Sequence, residues 1–218
     1  VLSAVQVMTS ERIAENTVRA QYNGYKILPN VAEDSKTPTY AALKLSINNH
    51  RWIGVPFYLR SGKNLAQKAT EIVIQFKKTP QRMFSHPLFD HINSNHLAIC
   101  LQPHEGFHQR FEVKVPDSPN QMHSVDMAFH YEDEFGDCSI PDAYEHLLLN
   151  AMEGDATLFT RNDGIEVSWR IIDPIIKAWK DHTAPLMASY EPGSWGPKEG
   201  DELLAAAGHR WVYGCKEH

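Results

Sequence analysis

A chain of 218 residues with 42% hydrophobic content can bury one sizeable core, or a core with a small satellite. Charged residues make up 22% and the formal net charge is −6, which excludes a disordered chain and a non-specific nucleic-acid binder, since the latter carries a basic stripe. No run of about 18 apolar residues occurs, so no membrane span is expected. Val1-Leu2-Ser3-Ala4 carries neither the basic nor the apolar region of a secretory leader, and the chain has no initiator Met, the pattern of a fragment or a processed chain. The three cysteines, Cys100, Cys138 and Cys215, show no metal-like spacing and read as reduced thiols of a cytoplasmic protein.

In chain order, the first half reads as strands. Alternation marks 17–22 and 40–47, and Val55 to Leu59 reads as a buried strand entered at Pro56, a residue tolerated at a strand start. Further strands are expected at 69–76 and 96–102, at 107–115 with Phe107, Gln109, Phe111, Val113 and Val115 on one face, and at 125–131. Strands that follow one another with few helical crossovers favour antiparallel pairing. The acidic run from Glu132 to Asp137 reads as a solvated loop. The second half turns helical. After Pro141 and Asp142, Ala143, Leu147, Leu148, Ala151 and Met152 fall at helical spacing, with Gly154 placed as a C-cap. A second helix from about Asp163 carries Ile165, Trp169, Ile172, Ile176 and Trp179 on one stripe, and Pro174 should kink or divide it. A short helix spans about Glu199 to Ala207 and ends at Gly208. No interdomain tether and no repeat is visible, so the pattern predicts one α+β domain.

Two motifs fail on their spacing. His104-Glu105-Gly106-Phe107-His108 matches H-E-x-x-H, whose zinc chemistry needs both histidines on adjacent turns of one helix. Pro103 precedes it and strand alternation continues from it, which would separate the two residues by roughly 13 Å at ~3.3 Å per residue; one zinc ion does not join them. Ser61-Gly62-Lys63 resembles the end of a P-loop, yet Phe57 stands where the first glycine is required and Asn64 where Ser or Thr is required. No G-x-G-x-x-G occurs, so no dinucleotide site is expected within this chain.

The run from Arg51 to Lys63, R-W-I-G-V-P-F-Y-L-R-S-G-K, has a glycine turn flanked by Arg60, Lys63 and, five residues on, Lys68. Two ammonium groups about such a turn can hold one dianionic phosphate through charge-assisted hydrogen bonds, although lysines there also suit an ordinary charged surface. This run resembles the R-W-x-G-V-P-F-x-x-R-x-G-K segment of the glucose-6-phosphate dehydrogenase family. The resemblance extends along essentially the whole chain: Gln102-Pro103-His104-Glu105, Pro141-Asp142-Ala143-Tyr144-Glu145, Trp169-Arg170-Ile171 through Pro174, and Gly193-Ser194-Trp195-Gly196-Pro197 follow in the family's order.

The resemblance implies an α+β fold, a large mostly antiparallel sheet packed with helices, with residues 1–218 forming the C-terminal substrate-binding and dimerisation domain, incomplete at its N-terminus and without the Rossmann domain. It implies an oxidoreductase of the pentose phosphate pathway that oxidises D-glucose 6-phosphate to 6-phospho-D-glucono-1,5-lactone and reduces NADP, which the upstream dinucleotide-binding domain would bind. The catalytic His and Asp of the family lie upstream of this portion, so no catalytic, cofactor-binding or metal residue is assigned here and the isolated chain should be inactive. Lys63 and Lys68 match the family's basic substrate contacts and Gln102 a polar one; Arg60 would orient the loop or contact the cofactor from the other domain. Cys100 and Trp195 occupy two positions at which animal relatives use arginines for a structural NADP, so the likeness is to bacterial members and that second site is not expected. A homo-oligomer, dimer or tetramer, is implied, with no nucleic acid or membrane partner. The alternative is a non-catalytic sugar-phosphate-binding or interaction module of the same fold.

Overall fold

The computed structural model describes residues 1–78, 93–118, 121–136, 143–181 and 185–215; Cys138, Pro141 and Asp142 lie outside them. The strands are β1 (Thr17–Tyr22), β2 (Tyr40–Ser46), β3 (Pro56–Gly62), β4 (Thr70–Gln75), β5 (His96–Gln102), β6 (Gly106–Lys114), β7 (Met122–His130) and β8 (Ala188–Tyr190). The helices are α1 (Ser10–Asn16), α2 (Tyr131–Phe135), α3 (Ala143–Glu153), α4 (Asn162–Lys180) and α5 (Lys198–Ala205). The chain divides into two compact units, Val1–Gln67 with Leu147–Trp211, and Lys68–His146 with Val212–His218.

The first unit is built on a four-stranded sheet in the order β3-β2-β1-β8, antiparallel except that β8 pairs parallel to β1. β1 is buried along nearly its whole length because both of its faces are covered. On one face Val18, Ala20, Tyr40 and Ala42 pack with Tyr190 and with Leu203 and Leu204 of α5. Gly196, at φ +112°, lies against the Tyr40 ring, where a Cβ would collide. On the other face Ile13 of α1 and Ile175 and Ala178 of α4 form a second cluster with Leu43 at its margin. Buried Arg19 caps the end of α4 there: its guanidinium donates to the carbonyls of Trp179 and, at 3.0 Å, of Pro185.

The second unit holds an antiparallel sheet in the order β4-β5-β6-β7. Register partners share a face, so the two sides of this sheet can be read across the strands. One side carries the rows Ile72, Ile99, Phe107, Phe129 and Ile74, Leu97, Gln109, Met127. The other carries Glu71, Cys100, Gly106, His130, then Val73, Ala98, His108, Ala128, then Gln75, His96, Arg110, Asp126.

The α+β class, the antiparallel preference and most strand positions agree with the sequence reading, with five corrections. β3 is not a buried strand: it lies at the edge of the first sheet, none of its residues is fully buried and Leu59 is exposed. The acidic run is not all loop: residues 131–135 form α2, whose first turn holds Glu132, Asp133 and Glu134, where carboxylates complement the helix N-terminus. Pro174 does not divide α4, because Ile171 and Ile175 on either side of it are buried and tertiary packing holds the helix together. The buried stripe of α4 is Ile171, Ile175 and Ala178; Trp169 is exposed, while Ile172 and Trp179 sit at the edge of the cluster. Two stripes of helical spacing overlap in this sequence, and the α1 contact selects the one around Ile175. Finally, Cys100 and Cys215 are not reduced thiols but a disulfide, with Cα atoms 5.8 Å apart and 115 residues between them in sequence.

Candidate substrate-binding site

The turn that leaves β3 is the most constrained segment among the candidate residues. Gly62 is the last residue paired to β2, opposite Tyr40. The next step continues the ladder, with Lys63 N donating to Thr39 O at 2.8 Å. Asn64 then adopts φ +49°, a left-handed conformation that asparagine tolerates better than most residues. The chain following β8 closes over this turn: Tyr190 Oη donates to Lys63 O at 2.7 Å, Gly193 N to Asn64 O at 2.8 Å, and Ala66 N to Ser194 O at 2.8 Å. The Lys63 side chain itself is exposed, so a fixed backbone presents a cation to solvent.

Lys68 opens the second unit, two residues before the start of β4. Gln102 ends β5 as the register partner of Thr70, so Lys68 and Gln102 stand at the same end of the second sheet, both exposed. Lys63 belongs to the first unit.

Arg60 is engaged within the first unit. Its guanidinium stacks 5.2 Å from the Trp195 ring centroid and 4.5 Å from that of Trp211, and Nη1 donates to Trp195 O at 3.4 Å. On the same strand, Tyr58 Oη is 2.8 Å from His209 Nδ1, and burial raises the Tyr58 phenol pKa. Arg60 thus ties β3 to the Gly193–Pro197 turn.

The H-E-x-x-H segment runs from a turn into β6, and its histidines have different partners. His104 Nδ1 lies 3.1 Å from Glu132 Oε2, whereas His108 Nε2 lies 3.0 Å from His130 Nε2 across the β6–β7 pair. Among the described residues no group of three or more His, Cys, Asp or Glu is placed to hold a metal ion. Sequence reasoning did not single out Thr39 or Tyr190, whose hydroxyls sit behind the Lys63 turn. The signal lay in the Gly193-Ser194 motif, whose backbone holds residues 64 and 66, but its contact with the lysine turn spans more than a hundred residues of chain.

The fold is α+β; its first unit presents the Lys63 cation on a fixed backbone, and its second unit exposes Lys68 and the sheet-end Gln102. Residues 1–212 match the family model described as glucose-6-phosphate dehydrogenase, C-terminal domain, and the chain belongs to that family. It is 43% identical over 190 residues to the glucose-6-phosphate 1-dehydrogenase of Chlamydia pneumoniae, covering 86% of this chain and 37% of that protein. Among solved structures it resembles the glucose-6-phosphate 1-dehydrogenase of Mycobacterium avium, with a TM-score of 0.80 and 34% identity over 100% of this chain and 43% of that one. It also resembles a glucose-6-phosphate dehydrogenase in complex with its substrate glucose-6-phosphate, with a TM-score of 0.84 and 30% identity over 98% of this chain and 44% of that one. The chain therefore spans about two fifths of the length of the relatives it matches.

Proposed function

We propose that residues 1–218 are the C-terminal, substrate-binding and dimer-forming part of a cytoplasmic glucose-6-phosphate dehydrogenase. The whole enzyme oxidises D-glucose 6-phosphate at C1 to 6-phospho-D-glucono-1,5-lactone and passes the hydride to NADP. In this reading Lys63 and Lys68 bind the phosphate and Gln102 hydrogen-bonds the sugar phosphate from the end of β5. The hydride chemistry belongs to NADP on a dinucleotide-binding domain outside these residues. These residues contain no G-x-G-x-x-G sequence of the kind that receives a pyrophosphate. Among the described residues no helix is long and apolar enough to cross a membrane.

The observation that carries the reading is the Lys63 turn, where four backbone contacts fix the main chain and leave the ammonium group exposed. Holding a charged group on a fixed backbone removes part of the ordering cost of binding. In support of an oligomer, the second sheet leaves Ile72, Phe107 and Met127 exposed on one side, a patch that a second copy of the domain would cover.

The test is Lys63→Ala in the full-length protein. Hydrogen bonds to charged groups contribute about 1.5–3 kcal/mol and ~1.4 kcal/mol corresponds to tenfold, so KM for glucose 6-phosphate should rise by roughly ten- to a hundredfold. The phosphate is remote from C1, so kcat should change less. Lys68→Ala should act in the same direction but more mildly. Lys77→Ala, beyond the opposite end of β4, serves as the surface-charge control. A KM within twofold of the parent for Lys63→Ala would remove the phosphate assignment.

A further inference from the structure

Resting on that reading of Lys63, we propose that the Tyr190 hydroxyl is a positioning group for the phosphate-binding turn, acting on the substrate only through the Lys63 backbone. The hydroxyl is buried, and Tyr190 as a whole is 4% exposed. Its ring packs among other aromatics, with the Tyr40 centroid 5.7 Å and the Tyr22 centroid 6.2 Å away. The only polar atom of the side chain therefore emerges from an aromatic core directly behind an exposed cation.

The hydrogen count gives the direction of the contact. A phenol has one O–H to donate, and the shortest acceptor is Lys63 O at 2.7 Å, against 3.1 Å for Thr39 O. Thr39 Oγ1 lies 3.1 Å from Tyr190 Oη and accepts from Tyr22 N at 3.0 Å. With the Tyr190 proton on Lys63 O, the Thr39 hydroxyl donates to Tyr190 Oη at 3.1 Å, the nearer of its two acceptors, Ala20 O lying at 3.5 Å. A continuous relay results, from Tyr22 N–H to Thr39 to Tyr190 to the Lys63 carbonyl. Each bond polarises the next, and in a buried site such a chain is stiffer than its members alone. Burial also raises the Tyr190 phenol pKa, which favours the protonated, donating form.

The relay holds the Lys63 carbonyl, and the ladder bond from Lys63 N to Thr39 O holds its amide. The residue that follows, Asn64, is left-handed and is held on its far side by Gly193 N, so releasing the Lys63 carbonyl would loosen the turn on the lysine side. An ammonium at the end of four methylenes can adjust its own rotamers, but the origin of that stem is set by these two bonds. Binding geometry loose by about an ångström is costly. Tyr190→Phe keeps the ring and its packing and removes only the donor.

The experiment is a kinetic cycle in the full-length enzyme with parent, Tyr190→Phe, Lys63→Ala and the double variant, each checked for an unfolding midpoint. Tyr190→Phe should raise KM for glucose 6-phosphate about three- to tenfold and leave kcat within twofold. It should have no further effect in the Lys63→Ala background, because a turn without its ammonium has nothing to aim. Thr39→Val, which breaks the relay one step earlier, should shift KM in the same direction and stands in if Tyr190→Phe folds poorly. A Tyr190→Phe effect that persists undiminished in the Lys63→Ala background would overturn the proposal, since the loss would not run through Lys63. A KM unmoved by Tyr190→Phe, with Lys63→Ala still impaired, would overturn it too and leave the lysine assignment intact. A KM unmoved by Lys63→Ala would instead remove the reading on which it rests.

Discussion

Arg110 and Asp126, register partners on β6 and β7, are joined by two parallel hydrogen bonds, Nε to Oδ1 and Nη2 to Oδ2, each 2.6 Å long. His96, the β5 partner of Arg110, completes the row. The hydrogen bond from Arg110 holds the Asp126 carboxyl below the ordinary carboxylate range. Burial, and then the neighbouring Arg110 charge, hold His96 below the ordinary imidazole value.

Both shifts make the fold acid-sensitive, in different windows. The unfolded chain takes up a proton at His96 near pH ~6.5 while the folded chain resists, so that contribution falls as pH drops below this value. Asp126 contributes fully above ~3.9 and loses its contribution as pH falls through its lower folded value. The ion pair is about two fifths exposed, 39% and 45% by side chain, so its worth is at the surface scale of about 0–1 kcal/mol. His96→Gln should flatten the pH dependence of stability between 7.5 and 5, and Asp126→Asn the part below 4.5, both read by urea unfolding at successive pH values. Parallel curves for parent and His96→Gln through the upper window would refute the assignment.

The Cys100–Cys215 bridge closes a loop of 115 residues, and cross-links over loops this long constrain the unfolded chain strongly. Reduction should lower stability by about 2–5 kcal/mol, the usual range for removing a native disulfide. Cys215→Ser should reproduce the loss and make the protein indifferent to dithiothreitol. Denaturant midpoints with and without reductant check this; equal midpoints for the parent would mean that the bridge does not form.

Arg19 is the only charged residue among the buried side chains described, and it serves α4 rather than a carboxylate. Arg19→Met should leave the carbonyls of Trp179 and Pro185 without their donor, at a cost of about 1.5–3 kcal/mol. Arg19→Lys should recover little, because an ammonium lacks the fork that spans two acceptors. Denaturant unfolding with an unchanged m-value is the readout, and a loss below ~0.5 kcal/mol would contradict the capping role.

Met127 is 63% exposed on the apolar side of the second sheet, on its edge strand β7. If that side is the self-association surface, Met127→Glu should weaken the oligomer at least tenfold while leaving the fold intact by circular dichroism. Sedimentation equilibrium across micromolar concentrations decides it; an unchanged association constant would place the interface elsewhere.

How far the sequence could be read follows from the range of the interactions concerned. The limits of β1 and β5 were legible to the residue, because alternation and flanking turn residues are local. Gly154 was legible as a helix end for the same reason, and its φ of +74° agrees. The face of α4 was not, since Ile165, Trp169 and Ile172 satisfy the same spacing as Ile171, Ile175 and Ala178 and only the α1 contact separates them. β8 was missed because three residues carry too little pattern. The cysteine pairing was invisible because nothing local links positions 100 and 215. In the candidate site, the proposal for Lys63 comes from its motif, while Thr39 and Tyr190 behind it were not legible, as their polarity matters only once β8 lies beside β1.

The alternation along β6 has a consequence for how this domain tolerates change in chain length. His108, Arg110 and Glu112 share a side of the strand, and Phe107, Gln109, Phe111 and Val113 share the opposite side. A single inserted or deleted codon within the nine residues of β6 would exchange the two sets beyond that point, turning aromatic rings toward the histidines and an arginine into the apolar patch. The same change at residues 115–118, where the strand has ended, leaves both neighbouring registers intact. Length variation among natural or engineered versions of this domain should therefore collect in the turn after Lys114 and be missing from the strand before it.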